Sequence, residues 1–211
     1  MKRNLKIILL LLLAVNMQAQ EPWKLVKDKN GIQVYTRSNG EMDFKEFKAV
    51  TTMTGSPEQF VSVLYDVEAL PEWGHNIIDA IMIEKNLPDE QVYYAVAKAP
   101  WPYKNRDGIY KNLIKWDESE RVLSIGIEML DNDMMSNDEN VRMLGYGHWE
   151  YRDLGNGKGA VTFQMQVDPG GSVKAWIANM FTSDSPYETL KGFREVISDT
   201  KYQNKTYDFI R

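Results

Sequence analysis

The sequence predicts an α+β fold in which one curved antiparallel sheet is covered by a long C-terminal helix. Eight short segments between residues 32 and 168 alternate apolar and polar side chains as strands do, and short links join them. The last region, Ser172 to Gln203, follows helical periodicity instead. A sheet of this kind has an apolar concave face, and the C-terminal helix is the long element available to cover it.

The N-terminus has the layout of a secretory signal. A basic start precedes the apolar run Ile7–Val15, which is too short to span a bilayer, and Ala19 is a small residue suited to cleavage. We therefore expect residues 1–19 to be a signal peptide and residues 20–211 to form one domain that is exported, periplasmic or extracellular. An uncleaved N-terminal anchor is the alternative.

Composition excludes several classes of function. The chain has 25 Lys and Arg against 30 Asp and Glu, and three of the positive charges lie in the predicted signal, so the mature domain is acidic. An acidic body argues against nucleic-acid binding and against strong attraction to anionic membranes. The absence of Cys removes disulfides, zinc–cysteine sites, thiol chemistry and a lipid-modified N-terminus.

The first predicted elements are two strands and a helix. Ile32–Arg37 and Phe44–Thr54 alternate as strands, and Ser38-Asn39-Gly40-Glu41 between them has the composition of a turn. Ser56-Pro57-Glu58-Gln59 then supplies a capping hydroxyl, a proline in the first turn and a glutamine three residues after the cap. This pattern predicts a helix that begins after Ser56.

The rest of the chain continues the sheet and then forms the C-terminal helix. Six further strand-like segments are Ile77–Glu84, Gln91–Lys98, Asp107–Trp116, Val122–Met129, Arg142–Arg152 and Ala160–Asp168. Gly155-Asn156-Gly157 joins the last two and is a hairpin signal. Within the helical tail, Ser185-Pro186-Tyr187-Glu188 repeats the earlier capping pattern, so we expect a kink or a restart there.

The most informative motif is Ala99-Pro100-Trp101-Pro102-Tyr103-Lys104-Asn105-Arg106-Asp107, which joins two predicted strands. Two prolines that bracket a tryptophan continue neither a helix nor a central strand. The motif therefore predicts a stiff aromatic corner, with an Arg-Asp pair at the start of the next strand.

Other short elements stand in a fixed order around this proline corner. They are Gly31-Ile32-Gln33-Val34-Tyr35-Thr36-Arg37, Asp66, Pro71-Glu72-Trp73, Gly147-His148-Trp149-Glu150 and Asp168-Pro169-Gly170-Gly171. The ordered set resembles the START family, the steroidogenic-acute-regulatory-related lipid transfer domains, from about Trp23 to Tyr202. The resemblance implies an α+β, helix-grip fold whose internal apolar cavity holds a lipid or sterol-like molecule, without catalysis. We expect neither a cofactor nor a metal.

Asp79 and Arg106 are the predicted polar feature of that cavity. Alternation places Asp79 on the same side of its strand as three isoleucines, where a carboxylate is costly unless it is paired. Arg106 offers a planar fork that grips a carboxylate through two bonds. The resemblance implies that the two face the cavity as a pair, available to a lipid hydroxyl or headgroup. The alternative is an exposed Asp79 and an Arg106 that only fixes the proline corner.

Apolar and aromatic residues complete the predicted ligand site. They are Tyr94, Val96, Tyr110, Ile125, Ile127, Trp149, Phe163, Met165, Trp176, Ile177 and Met180. The polar segment 130–140 carries Met134 and Met135 at its tip. We expect a solvated connection there, with a lid or a membrane-touching loop as the alternative. His75 and His148 are the only histidines, so a three-histidine zinc site is excluded.

The function predicted from the sequence is binding of a lipid or another hydrophobic small molecule, by a monomeric carrier, transfer or sensing protein. We expect transient membrane contact and no nucleic-acid partner. Two alternatives stay open: a cyclase- or hydrolase-like enzyme that uses the same cavity, and a ligand-free envelope module that binds another protein.

Overall fold

The computed structural model describes residues 21–86, 88–135, 137–174, 179 and 182–210. Ten strands lie in these ranges: β1 (Lys24–Lys29), β2 (Ile32–Arg37), β3 (Glu46–Thr54), β4 (Ile77–Asn86), β5 (Glu90–Ala97), β6 (Arg106–Asp117), β7 (Val122–Leu130), β8 (Val141–Arg142), β9 (Leu144–Gly155) and β10 (Lys158–Asp168). The described helices are α1 (Pro57–Tyr65), α2 (Leu70–Trp73) and α3 (Asp184–Val196), with short 3-10 helices at Val67–Ala69 and Thr200–Tyr202.

The strands form one curved, open sheet in the order β1-β2-β3-β10-β9-β7-β6-β5-β4. Every neighbouring pair along this path is antiparallel, and β8 adds a short parallel pair to β6. We call the face that packs against α1 and α3 the inner face and the opposite one the outer face. This architecture confirms the α+β, helix-grip prediction, a sheet whose inner face is covered by a C-terminal helix.

The edge strand β1 is a strand that the sequence did not predict. Four of its six residues are charged and most are exposed, because a strand at a sheet edge has little apolar area to bury. It joins β2 through Asn30 and Gly31, whose φ angles of 53° and 71° lie in the left-handed region that a tight hairpin turn requires.

Two short sequence motifs, one at the start of α1 and one between β9 and β10, predicted the local structure correctly. Ser56 and Gln59 form the predicted capping box: the Ser56 hydroxyl accepts from the Gln59 amide (3.3 Å) and the Gln59 side chain accepts from the Ser56 amide (2.9 Å). The β9–β10 hairpin turns at Gly155-Asn156-Gly157, where all three φ angles are positive.

The predicted extent of the C-terminal helix is wrong at both ends. Ser172–Lys174 are not helical, and α3 ends at Val196. The helix begins after Ser183, two residues before the predicted cap, and the Ser183 side chain makes no capping hydrogen bond. Pro186 lies within the first turn, where its missing amide hydrogen costs nothing, so the proline marked the start of the helix only approximately.

Aromatic side chains join the helices to the inner face. Phe60 of α1 contacts Trp149 of β9 (ring centroids 5.9 Å apart), and Phe193 of α3 contacts both Phe60 (4.8 Å) and Trp149 (5.5 Å). Gly192 allows α3 to approach α2, since a Cβ there would lie 2.6 Å from the carbonyl oxygen of Trp73. Among the described helices, none has both the length and the apolar character needed to cross a membrane.

Candidate functional site

An apolar pocket of about 310 Å³ lies between the inner face and the helices. Aromatic and aliphatic side chains form most of its wall, and a few polar groups stand at one side. The lining residues are Phe44, Lys45, Phe47, Leu70, Trp73, Gly74, His75, Ile77, Tyr93, Ala97, Tyr110, Ile127, Met143, Trp149, Phe163, Met165, Val167, Pro169, Asn179, Thr182, Ser185 and Thr189. Its size and composition are typical of small-molecule sites.

Stacked rings make this wall stiff. Trp149 and Phe163 stack with their ring centroids 3.9 Å apart, and Phe47 meets the edge of Phe163 at 5.2 Å. Tyr93 and Tyr110 stack at 5.0 Å, and burial raises the pKa of both hydroxyls, so they stay neutral. The wall therefore offers flat apolar surfaces and two phenol groups.

A second pocket of about 190 Å³ continues the first towards the proline corner. The two pockets share five lining residues, His75, Ala97, Met143, Pro169 and Ser185. Lys98, Tyr103 and Arg106 also line the second pocket and place two positive charges there. Together the two pockets form an apolar chamber with a basic end.

Arg106 lies at that basic end and is only 7% exposed. Its Nε donates to the carbonyl oxygen of Pro169 (3.2 Å), its Nη1 donates to the carbonyl oxygen of Lys104, and the guanidinium lies 5.8 Å from the ring centroid of Tyr103. Burial lowers the pKa of Arg106, although an arginine stays protonated in proteins. The side chain is thus a fixed positive charge held by backbone carbonyls.

The structure does not bring Asp79 to Arg106. Asp79 is exposed and lies on the outer face, in a groove with Ile81 and Tyr94. The reason is a β-bulge between Ile77 and Asp79, since one extra residue reverses the side to which every following side chain points. Ile77 therefore lines the inner pocket while Asp79 faces away, so the predicted pairing is wrong.

Tyr94 and Val96 are also on the outer face, where they pack with Ile109 and Met135. Their neighbour Tyr93 is the residue that lines the pocket. Both faces of β5 are apolar and buried, so alternation did not reveal which side points inwards. The predicted pocket roles of Tyr94 and Val96 fail for this reason.

The remaining predicted wall residues divide into three groups. Five line the pocket as expected: Tyr110, Ile127, Trp149, Phe163 and Met165. Ile125 is fully buried in the core beside them without lining the pocket. Trp176, Ile177 and Met180 lie outside the described residues.

Several pocket residues were not predicted from the sequence. Trp73 is the last residue of α2 and His75 follows the helix, and Thr189 of α3 accepts a hydrogen bond from the His75 amide (3.1 Å). The Pro71-Glu72-Trp73 motif is a usable signal for Trp73, because it belongs to the ordered set that resembles the START family. Phe44 and Lys45 lie before β3 and carried no comparable signal.

The described residues of the segment 131–140 cover part of the outer face. Arg142 holds it: the guanidinium donates to the carbonyl oxygens of Asn132 (3.0 Å) and Met135 (2.5 Å) and to the buried carboxylate of Asp107 (2.8 Å). Met135 packs against the outer face, whereas Met134 is 41% exposed. The two methionines therefore do not form one apolar tip.

Comparisons with known proteins agree with this geometry. An uncharacterised protein of Pseudomonas aeruginosa is 29% identical over 178 residues, which is 82% of this chain and 86% of the relative. The mouse phosphatidylcholine transfer protein is 22% identical over 189 residues, 87% of this chain and 86% of that protein. The crystal structure of a STAR-related lipid transfer protein fragment from Xanthomonas axonopodis has a TM-score of 0.78 and 28% identity, and covers 85% of this chain and all of that one.

The family comparison covers most of the sequence. The START domain family matches residues 10–201. The antiparallel sheet, the C-terminal helix and the apolar pocket between them are consistent with that match. The chain therefore belongs to the START domain family, and its relatives include lipid transfer proteins.

Proposed function

We propose that this protein binds one lipid or sterol-like molecule in the inner-face pocket and carries it, without chemical change. The single observation that supports this proposal best is the apolar pocket of about 310 Å³, which is lined by stacked aromatic rings. Transfer of apolar surface from water contributes about 25 cal/mol per Å² before ordering costs. Two relatives are a phosphatidylcholine transfer protein and a STAR-related lipid transfer protein, and they favour a lipid as the guest.

A carrier without chemistry also agrees with the groups in the wall. Among the described residues that line the two pockets, none is Asp or Glu, and the titratable side chains are lysines, histidine, tyrosines and arginine. Tyr93 and Tyr110 stay neutral because burial raises the pKa of both hydroxyls. The wall thus provides binding surfaces and no carboxylate base.

Ala97 provides a direct test, since it lines both pockets at their junction. Ala97→Trp should fill the passage and abolish uptake of a fluorescent lipid, and native mass spectrometry should detect no co-purified lipid. Ser124→Trp is the matched control, because Ser124 is exposed on the central strand β7. If neither the wild type nor the control takes up any lipid, the proposed function fails.

We further propose that the proline corner touches a membrane when the lipid is exchanged. Trp101 is 92% exposed, and its neighbours Pro100 and Tyr103 line the second pocket. Tryptophan favours the interface between water and lipid, so this ring is suited to a neutral bilayer next to the basic end of the chamber.

Trp101→Ser should slow lipid transfer from phosphatidylcholine vesicles several-fold and leave equilibrium lipid affinity unchanged. Leu154→Ser is the control, since Leu154 is an exposed apolar residue at the end of β9. Equal transfer rates for the two variants would contradict a contact through the corner.

We also propose that the protein is exported. Residues 1–19 lie outside the described residues, and their basic start and apolar run favour a secretory signal. Intact-mass analysis of the protein recovered from its native host should find the chain shortened at Ala19. A full-length mass would contradict cleavage.

A further inference from the structure

We propose that the ligand of this pocket is an anionic amphiphile, whose carboxylate or phosphate oxygens bind the guanidinium of Arg106. This inference rests on the proposed function and goes further, because it assigns a charge to the polar end of the guest. The shared chemistry is a pair of anionic oxygens at one end of an apolar chain.

Arg106 carries a buried positive charge. No carboxylate oxygen of the described residues lies within 4.0 Å of its guanidinium nitrogens. The neighbouring acids are engaged elsewhere: Asp107 pairs with Arg142 on the outer face, and Asp168 accepts from the Gly170 amide (2.8 Å). A buried charge is costly unless it is paired, and two carbonyl oxygens supply only partial compensation.

The guanidinium of Arg106 faces the second pocket. Arg106 is opposite Ala97 in the β5–β6 register, so both side chains are on the inner face. Both residues line the second pocket, which is continuous with the apolar one. A guest with its chain in the apolar pocket would bring its polar end to Arg106.

The other charged side chains near Arg106 are also basic. Lys98 lines the second pocket, His75 lines both pockets, and Lys45 lines the first. None of the described lining residues of either pocket is acidic. A cationic headgroup would find no counter-charge here, whereas an anionic one would complete a bidentate pair with a planar fork.

Hexadecanoate, hexadecyl phosphate and hexadecanol test this proposal, because they share one chain and differ at the head. Binding to the delipidated mature protein is measured by displacement of a neutral fluorescent probe at mildly alkaline pH. We expect at least one anion to bind about 10- to 100-fold more tightly than the alcohol, the gain of a charge-assisted hydrogen bond. The stronger of the two anions distinguishes a carboxylate from a phosphate headgroup.

Four variants test whether Arg106 causes the preference for anions over hexadecanol. Arg106→Gln should remove it and leave hexadecanol affinity unchanged, and Arg106→Lys should retain part of it. Ala97→Asp places a carboxylate opposite Arg106 without touching the arginine, so it should also remove the preference, whereas the isosteric Ala97→Asn should retain it. This second pair decides the matter even where Arg106→Gln does not fold.

The outcomes separate the two proposals. Equal affinity of the wild type for anions and alcohol overturns the anionic ligand and leaves the lipid carrier intact. A preference for anions that persists in both Arg106→Gln and Ala97→Asp overturns the assignment to Arg106. Failure of the probe and of all three amphiphiles to bind counts against the carrier itself.

Discussion

Replacement of Arg142 by glutamine should destabilise the domain by about 3–5 kcal/mol, the loss expected when one partner of a buried ion pair is removed. Asp107 is only 2% exposed, and Arg142 Nε lies 2.8 Å from its Oδ1. The hydroxyl of Tyr94 donates to the other carboxylate oxygen (2.9 Å) and would remain the sole side-chain partner among the described residues. Glutamine restores at most one hydrogen bond and no charge.

The same substitution should also release the segment 131–140, because the two terminal nitrogens of Arg142 hold its carbonyl oxygens at Asn132 and Met135. Hydrogen exchange of the amides in this segment should therefore accelerate more than exchange in the rest of the sheet. Stability is measured by urea unfolding of the mature domain.

Arg152→Gln is the matched control. Arg152 is 45% exposed as a side chain, and its contacts with Glu120 (3.6 Å) and Glu150 (3.9 Å) lie at the surface. Such pairs contribute about 0–1 kcal/mol. If both variants lose the same small amount of stability, the Asp107–Arg142 pair does not hold the segment 131–140, and the expected loss of about 3–5 kcal/mol is refuted.

Three smaller perturbations test local features of the fold. Gly192→Ala should lower the free energy of unfolding by about 1–3 kcal/mol, because the new Cβ would clash with the carbonyl oxygen of Trp73. Replacing glycine by alanine within a helix otherwise stabilises a protein by about 1 kcal/mol. A stabilised variant in urea unfolding would contradict the close approach. Ser56→Ala should lower it by about 1 kcal/mol while Ser183→Ala changes little, and equal urea midpoints would contradict the difference in capping. Burial raises the pKa of Tyr202 from 10.0 to about 12, so the folded state keeps a proton that the unfolded chain loses and stability falls as pH rises from 10 to 12. Urea midpoints of the wild type should fall more steeply over this range than those of Tyr202→Phe, and parallel curves would exclude this contribution.

Features that depend on a few adjacent residues could be predicted from the sequence. The capping box at Ser56 follows from side-chain chemistry within one helical turn, and the hairpin at Gly155-Asn156-Gly157 follows from the conformations that glycine and asparagine allow. The proline corner before Arg106 follows from two residues that cannot donate a backbone hydrogen bond. These rules operate over a few residues, so distant parts of the chain do not alter them.

Features that depend on register could not be predicted in the same way. The bulge between Ile77 and Asp79 has no marker in the sequence, yet it sends the carboxylate to the outer face. On β5, the adjacent residues Tyr93 and Tyr94 are equally suited to a pocket, and only the packing of the outer segment against Tyr94 and Val96 decides between them. Where both faces of a strand are apolar, the alternation of apolar and polar residues does not show which face points inwards.

A one-residue change of strand register leaves the fold unchanged but alters the chemistry of the pocket wall. The sheet needs apolar residues on both sides of β5 and tolerates either assignment, because each face is covered by another part of the chain. The pocket, however, takes its charge from whichever of two neighbours points inwards: Arg106 does and Asp107 does not. With Asp79 also turned outwards, the inner chamber retains an arginine without the acid that alternation would have paired with it. A one-residue bulge that leaves the architecture unchanged can therefore determine the net charge of the pocket wall.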